Sequence, residues 1–181
     1  MNSKDAAAFA ASCICYSWTM QEVSIPDLPQ NAPLRDRYGR IADQLAPLFK
    51  KVTDPQARMA SAAALLHHKM PHFFWTGFYR LVDGDLIVGP YQGPIACMVL
   101  ERHQGVCWAG VDRGEAVLVA DVRAFPGHIA CDSRSQSEVV VPVRDAAGRI
   151  VAVLDVDSDK PAAFSQTDVD GLTRIVGMIY G

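Results

Sequence analysis

The sequence predicts one α+β domain, in which a central, mostly antiparallel sheet of about six strands has N- and C-terminal helices packed on one face. Two observations favour this class. Near both ends of the chain, apolar residues recur every three or four positions, which is typical of amphipathic helices. Between these segments, short β-branched and aromatic runs alternate with turn residues, which is typical of strands. The 181 residues suffice for one sizeable core.

Three helices are expected. The first follows a three-proline loop at 24–33, which neither a helix nor a central strand would accept. The second begins at Asp54-Pro55 and ends before Pro71. The last opens at Ser165 with a capping partner three residues later. Their apolar stripes are Leu34, Tyr38, Ile41, Leu45 and Leu48, then Met59, Leu65 and Leu66, and finally Val169, Leu172, Ile175, Val176 and Ile179. We therefore expect residues 1–33 to be a partly ordered extension and residues 34–181 a single domain.

Strands are expected between the second and the last helix. The runs are 73–82, 86–91, 96–100, 115–122, 138–143 and 150–156. In the first strand, alternation would place Trp75 and Tyr79 on one face and Phe74 and Phe78 on the other. One aromatic pair would then fill the core, while the other lines a cavity.

Composition narrows the classes of function. The chain is 50% hydrophobic and 20% charged, with a formal net charge of -3, as in ordinary globular proteins. Lysines and arginines are scattered, so we expect no nucleic-acid partner. The uncharged stretch 6–20 is too short to span a bilayer and follows only one lysine, so neither a signal peptide nor a membrane anchor is expected. These features favour a cytoplasmic location.

Five cysteines are an odd number, which fits reduced thiols better than a complete disulfide framework. Cys97 on a strand, Cys107 after a Gly-Val pair and Cys131 in a loop all lie in the sheet region. Any one of them could be a small buried hydrophobe. No C-x₂-C pair is present, so a structural zinc site is not expected. Cys13 and Cys15 lie outside the main body.

Cys131 is the strongest candidate nucleophile. Pro126 and Gly127 hold its loop away from a regular strand, and loops on rigid scaffolds are where nucleophiles tend to lie. His128 and Arg134 are close in sequence and could favour the thiolate.

Three carboxylates form a second candidate group. Glu138 opens one strand of a predicted hairpin, while Asp155 and Asp157 close the other and point the same way. They form either a solvated strand end or a carboxylate pocket for an ammonium group or a protonated oxygen. The histidines at positions 67, 68, 72 and 103 have no spacing typical of metal ligands, and we expect surface or structural roles for them.

Several motifs together resemble those of the free methionine-(R)-sulfoxide reductases, a GAF-domain family. The resemblance runs from about Tyr38 to Tyr180, and its most specific part is Phe-Pro-Gly-His-Ile-Ala-Cys-Asp-Ser at 125–133. Further matching segments are 62–68, 75–79, 89–93, 105–107 and 154–158. Two features depart from the family pattern: Trp108 stands where a small residue is usual, and residues 1–33 have no familiar counterpart.

The resemblance implies a GAF-like catalytic domain and a role for each matching residue. Cys131 falls on the cysteine that attacks the sulfoxide, and Cys97 and Cys107 fall on two thiols implicated in resolution, with the choice between them open. Substrate-binding positions are implied for Trp75, Tyr79, Ile129, Ala130, Glu138, Asp155 and Asp157.

The implied reaction is reduction of free methionine-R-sulfoxide through a cysteine sulfenic acid and an intramolecular disulfide. Thioredoxin would be the reductant, a homodimer the assembly, and no metal or organic cofactor would be needed. The main alternative is a non-catalytic GAF sensor of a small ligand or of oxidation, and a third class is a structural interaction module. A module would leave the cysteines and carboxylates unexplained.

Overall fold

A computed structural model describes residues 28–29, 31–128 and 132–181. The helices are α1 (Leu34–Lys51), α2 (Pro55–Lys69), α3 (Gly105–Arg113) and α4 (Gln166–Val176), with a short 3₁₀ turn at Val122–Ala124. The strands are β1 (Trp75–Val82), β2 (Asp85–Gln92), β3 (Val99–Leu100), β4 (Val117–Val119), β5 (Ser137–Arg144) and β6 (Ile150–Ser158). None of the helices in this part of the chain is long and apolar enough to cross a membrane.

The six strands form one sheet in the order β3-β2-β1-β6-β5-β4. Every neighbouring pair is antiparallel, so the predicted α+β class is confirmed. The first and last long strands, β1 and β6, lie side by side at the centre. As a result, residues far apart in sequence meet on the same face of the sheet.

One face of the sheet carries the main core, beneath α1, α2 and α4. The odd-numbered residues of β5 and the even-numbered residues of β6 point into this core. Buried examples are Val139, Val141, Leu154 and Val156. The helices contribute Ile41, Leu45, Met59, Leu66, Leu172 and Ile175. The expected packing of the terminal helices on one face is confirmed, and the opposite face is left for the candidate site.

Local capping starts two helices where the sequence predicts. The Asp54 carboxylate accepts a hydrogen bond from the Ala57 amide at 2.7 Å, beside the proline that begins α2. Ser165 and Asp168 form the predicted capping box at α4. The second carboxylate oxygen of Asp168 accepts a hydrogen bond from Tyr38 at 2.8 Å, which ties α4 to α1.

Helix α3 was not predicted. Its sequence contains Gly105, Gly110 and β-branched residues, which are weak helix formers in isolation. Packing stabilises it instead, because Val106 and Trp108 are buried against the second face of the sheet. Cys107, expected in the sheet region, lies on this helix, which follows β3 and precedes β4 in the chain.

Two strands are shorter than predicted. The run 96–100 forms only the two-residue strand β3, so Cys97 lies in the loop between β2 and β3, and its expected place on a strand was wrong. The Cys97 carbonyl accepts a hydrogen bond from the Tyr79 hydroxyl at 3.2 Å instead of from a neighbouring strand. The run 115–122 is reduced to Val117–Val119, followed by the 3₁₀ turn.

The aromatic alternation was predicted correctly for three residues and wrongly for one. Trp75 and Tyr79 belong to the second face, and Phe78 to the main core. Phe74 packs with the second face as well, because β1 begins only at Trp75 and strand alternation does not extend to the preceding residue.

Candidate active site

A cavity of about 60 Å³ lies on the second face of the sheet, between β1, β5, β6 and helix α3. It brings together most of the described residues that the sequence singled out: Trp75, Tyr79, Cys107, Glu138, Asp155 and Asp157. Other lining residues, including Ile95, Gln104, His128, Asp132 and Ser135, come from the loops around its rim. The predicted constellation is therefore one site.

Strand register brings the three carboxylates together. Glu138 on β5 is directly opposite Asp157 on β6, and Asp155 is two residues along on the same face. Glu138 and Asp155 are each only 6% exposed, while Asp157 is partly exposed. The interpretation as a solvated strand end is therefore wrong for the first two residues, and the carboxylate pocket is the arrangement found.

Burial disfavours the charged forms of these acids. Loss of hydration, with added repulsion from Asp155, raises the pKa of Glu138 and of Asp157 well above the ordinary carboxyl value. Burial also raises the pKa of Asp155, to about 6, although hydrogen bonds with Glu138 and Cys107 oppose the shift. The raised pKa values favour the protonated forms of these carboxyls, and a protonated carboxyl can donate a hydrogen bond or a proton.

Cys107 lies beside these acids on α3. Its sulfur and one oxygen each of Glu138 and Asp155 all lie within 4.8 Å of one another. Burial, with repulsion from the carboxylates, raises the pKa of the Cys107 thiol well above its usual range. Since the thiolate is the nucleophilic form, Cys107 is a poor nucleophile in this setting.

The other two candidate thiols differ from Cys107. Cys97 is disulfide-bonded, whereas Cys107 is a free thiol. Cys131, Ile129 and Ala130 lie outside the described residues, so their predicted roles stay predictions. The residues on either side, His128 and Asp132, both line the cavity.

Two aromatic rings, Trp75 and Tyr79, line the site, and Tyr91 stacks on the Trp75 ring. Trp75 lies between Tyr79 and Tyr91, with ring centroids 5.8 and 5.4 Å apart and interplanar angles of 22° and 17°. The Trp75 indole nitrogen donates a hydrogen bond to the Pro94 carbonyl at 3.2 Å, which fixes the ring. Sequence reasoning gave Tyr91 no role. Its position opposite Gly77 depends on the β1–β2 register, which a single sequence does not reveal.

Gly77 leaves the space that this stack occupies. A Cβ atom there would lie 2.3 Å from Tyr91 Cβ and 2.5 Å from Trp75 Cη2. We expect Gly77→Ala to displace Trp75, destabilise the protein by about 1 to 3 kcal/mol and weaken ligand binding at least tenfold. Chemical denaturation and ligand titration measure both effects.

Gly39→Ala is the matched control, since nothing lies within 4 Å of a Cβ at this helical position. The control should be neutral or slightly stabilising. Equal effects of the two substitutions would show that the aromatic stack does not depend on Gly77.

The Arg134 side chain is paired with Asp132 at the rim of the site. Its guanidinium donates two hydrogen bonds to Asp132, at 3.0 and 2.7 Å, and lies 4.6 Å from the Phe74 ring centroid. These bonds hold the pKa of Asp132 at about 2. Burial lowers the pKa of His128. The prediction that these two residues favour a Cys131 thiolate stays a prediction.

The four histidines singled out in the sequence lie outside the cavity lining. His67 contacts the Thr76 hydroxyl at 3.3 Å, and His103 contacts Asp112 at 3.0 Å, which are structural interactions. Among the described residues, the group close enough to hold a metal ion is Cys107 with Glu138 and Asp155.

Known proteins share this sequence pattern and this fold. The sequence profile of the GAF domain matches residues 53–179. This chain belongs to the GAF domain family. Within the family, the free methionine-R-sulfoxide reductase of Escherichia coli is 40% identical over 123 residues, which cover 68% of this chain and 74% of that protein. The enzyme of the same name from Saccharomyces cerevisiae is 31% identical over 150 residues, covering 77% and 83%.

A solved structure also has a fold similar to that of this GAF domain. The free methionine-R-sulfoxide reductase of Neisseria meningitidis, in complex with its substrate, has a TM-score of 0.77 and 37% identity and covers 82% of this chain and 89% of that one. The resemblance inferred from the sequence motifs is thus confirmed, as is the GAF-like fold.

Proposed function

We propose that this GAF domain reduces the R-sulfoxide of free methionine to methionine with cysteine thiols. The observation that carries the proposal is that the buried Glu138 and Asp155 and the partly exposed Asp157 line one cavity together with Trp75 and Tyr79. Relatives that bear the name of this activity support it.

The carboxylates explain why the substrate would be the free amino acid. The described lining of the cavity contains no lysine or arginine, so the three acids have no such cation as a partner there. A free methionine derivative carries an ammonium group that a residue within a peptide lacks, and this group would satisfy them. The apolar rings of Trp75 and Tyr79 would enclose the methyl-sulfur end.

The first step would be oxidation of Cys131 by the sulfoxide. Its thiolate attacks the sulfoxide sulfur while a protonated carboxyl hydrogen-bonds and protonates the oxygen. Glu138 suits this role because burial and repulsion from Asp155 raise its pKa, which favours its protonated form. A bond between the Cys131 sulfur and the substrate sulfur forms as the sulfur-oxygen bond breaks and the protonated oxygen leaves as water. Water then attacks the Cys131 sulfur and gives up a proton, the sulfur-sulfur bond breaks, methionine leaves, and Cys131 becomes a sulfenic acid. Cys131 is a reasonable nucleophile because the residues on both sides of the 129–131 segment border the cavity.

The second step would be resolution by Cys97. Its thiol attacks the Cys131 sulfenic acid, a disulfide forms and water leaves. Cys97 already participates in a disulfide, whereas Cys107 is a buried free thiol with a raised pKa, so we assign resolution to Cys97. Thioredoxin would then reduce the disulfide by exchange, with its own dithiol oxidised. This chemistry needs no metal or organic cofactor. We further propose that the enzyme is a cytoplasmic homodimer.

Thioredoxin-coupled NADPH oxidation tests the proposal. We expect turnover of free L-methionine-R-sulfoxide, and none of the S epimer or of a blocked peptide sulfoxide. Cys131→Ser should abolish turnover. Cys97→Ser should release about one methionine per protein and then stop, while Cys107→Ser should retain multiple turnovers. Circular dichroism of each variant controls for folding.

Two outcomes would contradict parts of the proposal. If well-folded, reduced protein turns over none of the substrates, the GAF sensor alternative replaces the enzyme. If Cys107→Ser stops after one turnover while Cys97→Ser continues, resolution belongs to Cys107.

A further inference from the structure

The cavity holds a thiol and two carboxyl groups, which are typical metal ligands: Cys107, Glu138 and Asp155. Metal binding by these residues would be a role separate from sulfoxide reduction. We propose that in the reduced protein these three residues bind a thiophilic divalent cation, Zn²⁺ or Cd²⁺, at the base of the cavity and thereby exclude the substrate. The binding itself does not require the proposed activity, although the competition with substrate does.

The donor atoms are already close together. The sulfur and the two carboxylate oxygens lie within 4.8 Å of one another. Zinc bonds of about 2.3 Å to sulfur and about 2.0 Å to oxygen place neighbouring ligands of a tetrahedral ion about 3.5 Å apart. Small side-chain rotations would therefore suffice. The three residues lie on α3, β5 and β6, so the fold holds them without a flexible loop.

The second observation is an oxygen of Asp155 without a partner. Asp155 is 6% exposed, and its Oδ1 atom is buried with no hydrogen-bond partner among the residues that the structure describes. A buried polar atom left in this state is costly, and a ligand that satisfies it gains that energy. No lysine or arginine is among the described residues that line the cavity to supply positive charge. A bound cation would coordinate the Asp155 oxygen and would also supply positive charge beside the carboxylates.

The donor set selects the class of metal. A thiolate with two carboxylates suits zinc and its softer relative cadmium, whereas Mg²⁺ and Ca²⁺ prefer oxygen ligands alone. Three protein ligands leave one coordination position open, so binding should be reversible rather than structural. The same carboxylates are those we assign to the substrate ammonium group, and the two ligands therefore cannot bind together.

A cadmium titration of the reduced, phosphine-treated protein tests the site directly. Cd²⁺ bound to a thiolate gives an ultraviolet charge-transfer band, which we expect to saturate at one ion per chain. Cys107→Ser should remove the band, and Glu138→Gln should weaken binding at least tenfold. Cys97→Ser and Cys131→Ser are matched controls, since each removes a different thiol and should keep the band.

Kinetics test the competition. Zn²⁺ at its dissociation constant should double the apparent KM for sulfoxide and leave kcat unchanged. Absence of the band in the parent protein, or its loss in Cys131→Ser and persistence in Cys107→Ser, would overturn the site. A fall in kcat at constant KM would overturn the competition. If the protein shows no reductase activity, the cadmium band still decides whether the site exists.

Discussion

Asp155→Asn is expected to lower kcat/KM for free methionine-R-sulfoxide about 100-fold and yet to stabilise the substrate-free protein at neutral pH. The loss of activity follows because the variant removes a buried charge that would pair with the substrate ammonium group, and hydrogen bonds to charged groups contribute about 1.5 to 3 kcal/mol. The gain in stability follows because three acids lie close together in this cavity and burial disfavours their charged forms.

The sign of the pH dependence of protein stability follows from the direction of the Asp155 pKa shift. Burial raises the pKa of Asp155 from 3.8 to about 6, so the folded state binds its proton more tightly than the unfolded chain does. The contribution of this group to stability is therefore fully present below pH 3.8 and is lost as the pH rises through 6. The variant, which does not titrate there, should gain about 1 to 3 kcal/mol over the parent between pH 4 and pH 7.

Urea unfolding at pH 4, 5, 6 and 7 measures this difference. Asp43→Asn, at an exposed position of α1, is the control and should show no comparable pH-dependent gain. A parent protein that is more stable than the Asp155 variant at pH 7 would show that the pocket does not strain the fold.

Arg58→Ala is expected to destabilise the protein by about 3 to 5 kcal/mol. The Arg58 side chain is 6% exposed and donates hydrogen bonds to five backbone carbonyl oxygens. Two of these belong to Phe49 and Val52 at the end of α1, and the others to Met178, Ile179 and Gly181 after α4. Truncation would leave buried carbonyls unsatisfied and free the last segment from the core.

Thermal and urea unfolding measure this loss, with Arg149→Ala as the control. Arg149 forms an exposed ion pair with Asp145 at 2.7 Å, and such pairs contribute about 0 to 1 kcal/mol. Similar losses in the two variants would show that the Arg58 hydrogen bonds contribute no more than a surface pair.

The elements most accurately predicted were those whose own residues specify them. Helix α4 combines a capping box with an unbroken apolar stripe, and the hairpin of β5 and β6 combines alternation with a turn. Helix α3 escaped prediction because its local sequence disfavours a helix and only burial of its apolar side chains stabilises it. Cys97 was misplaced because the hydroxyl of a distant tyrosine, Tyr79, binds its carbonyl.

By itself, the sequence determined the fold class, the family resemblance and which three carboxylates belong to the candidate site. These features follow from periodicity and motif spacing, which are properties of the chain. Tertiary structure decided that Cys107 lies on a helix beside those acids, that Tyr91 stacks on the Trp75 ring, and that Arg134 pairs with Asp132. Each of these facts depends on strand register or on packing between distant elements. Burial is also the largest cause of the raised pKa values of Glu138, Asp155 and Asp157.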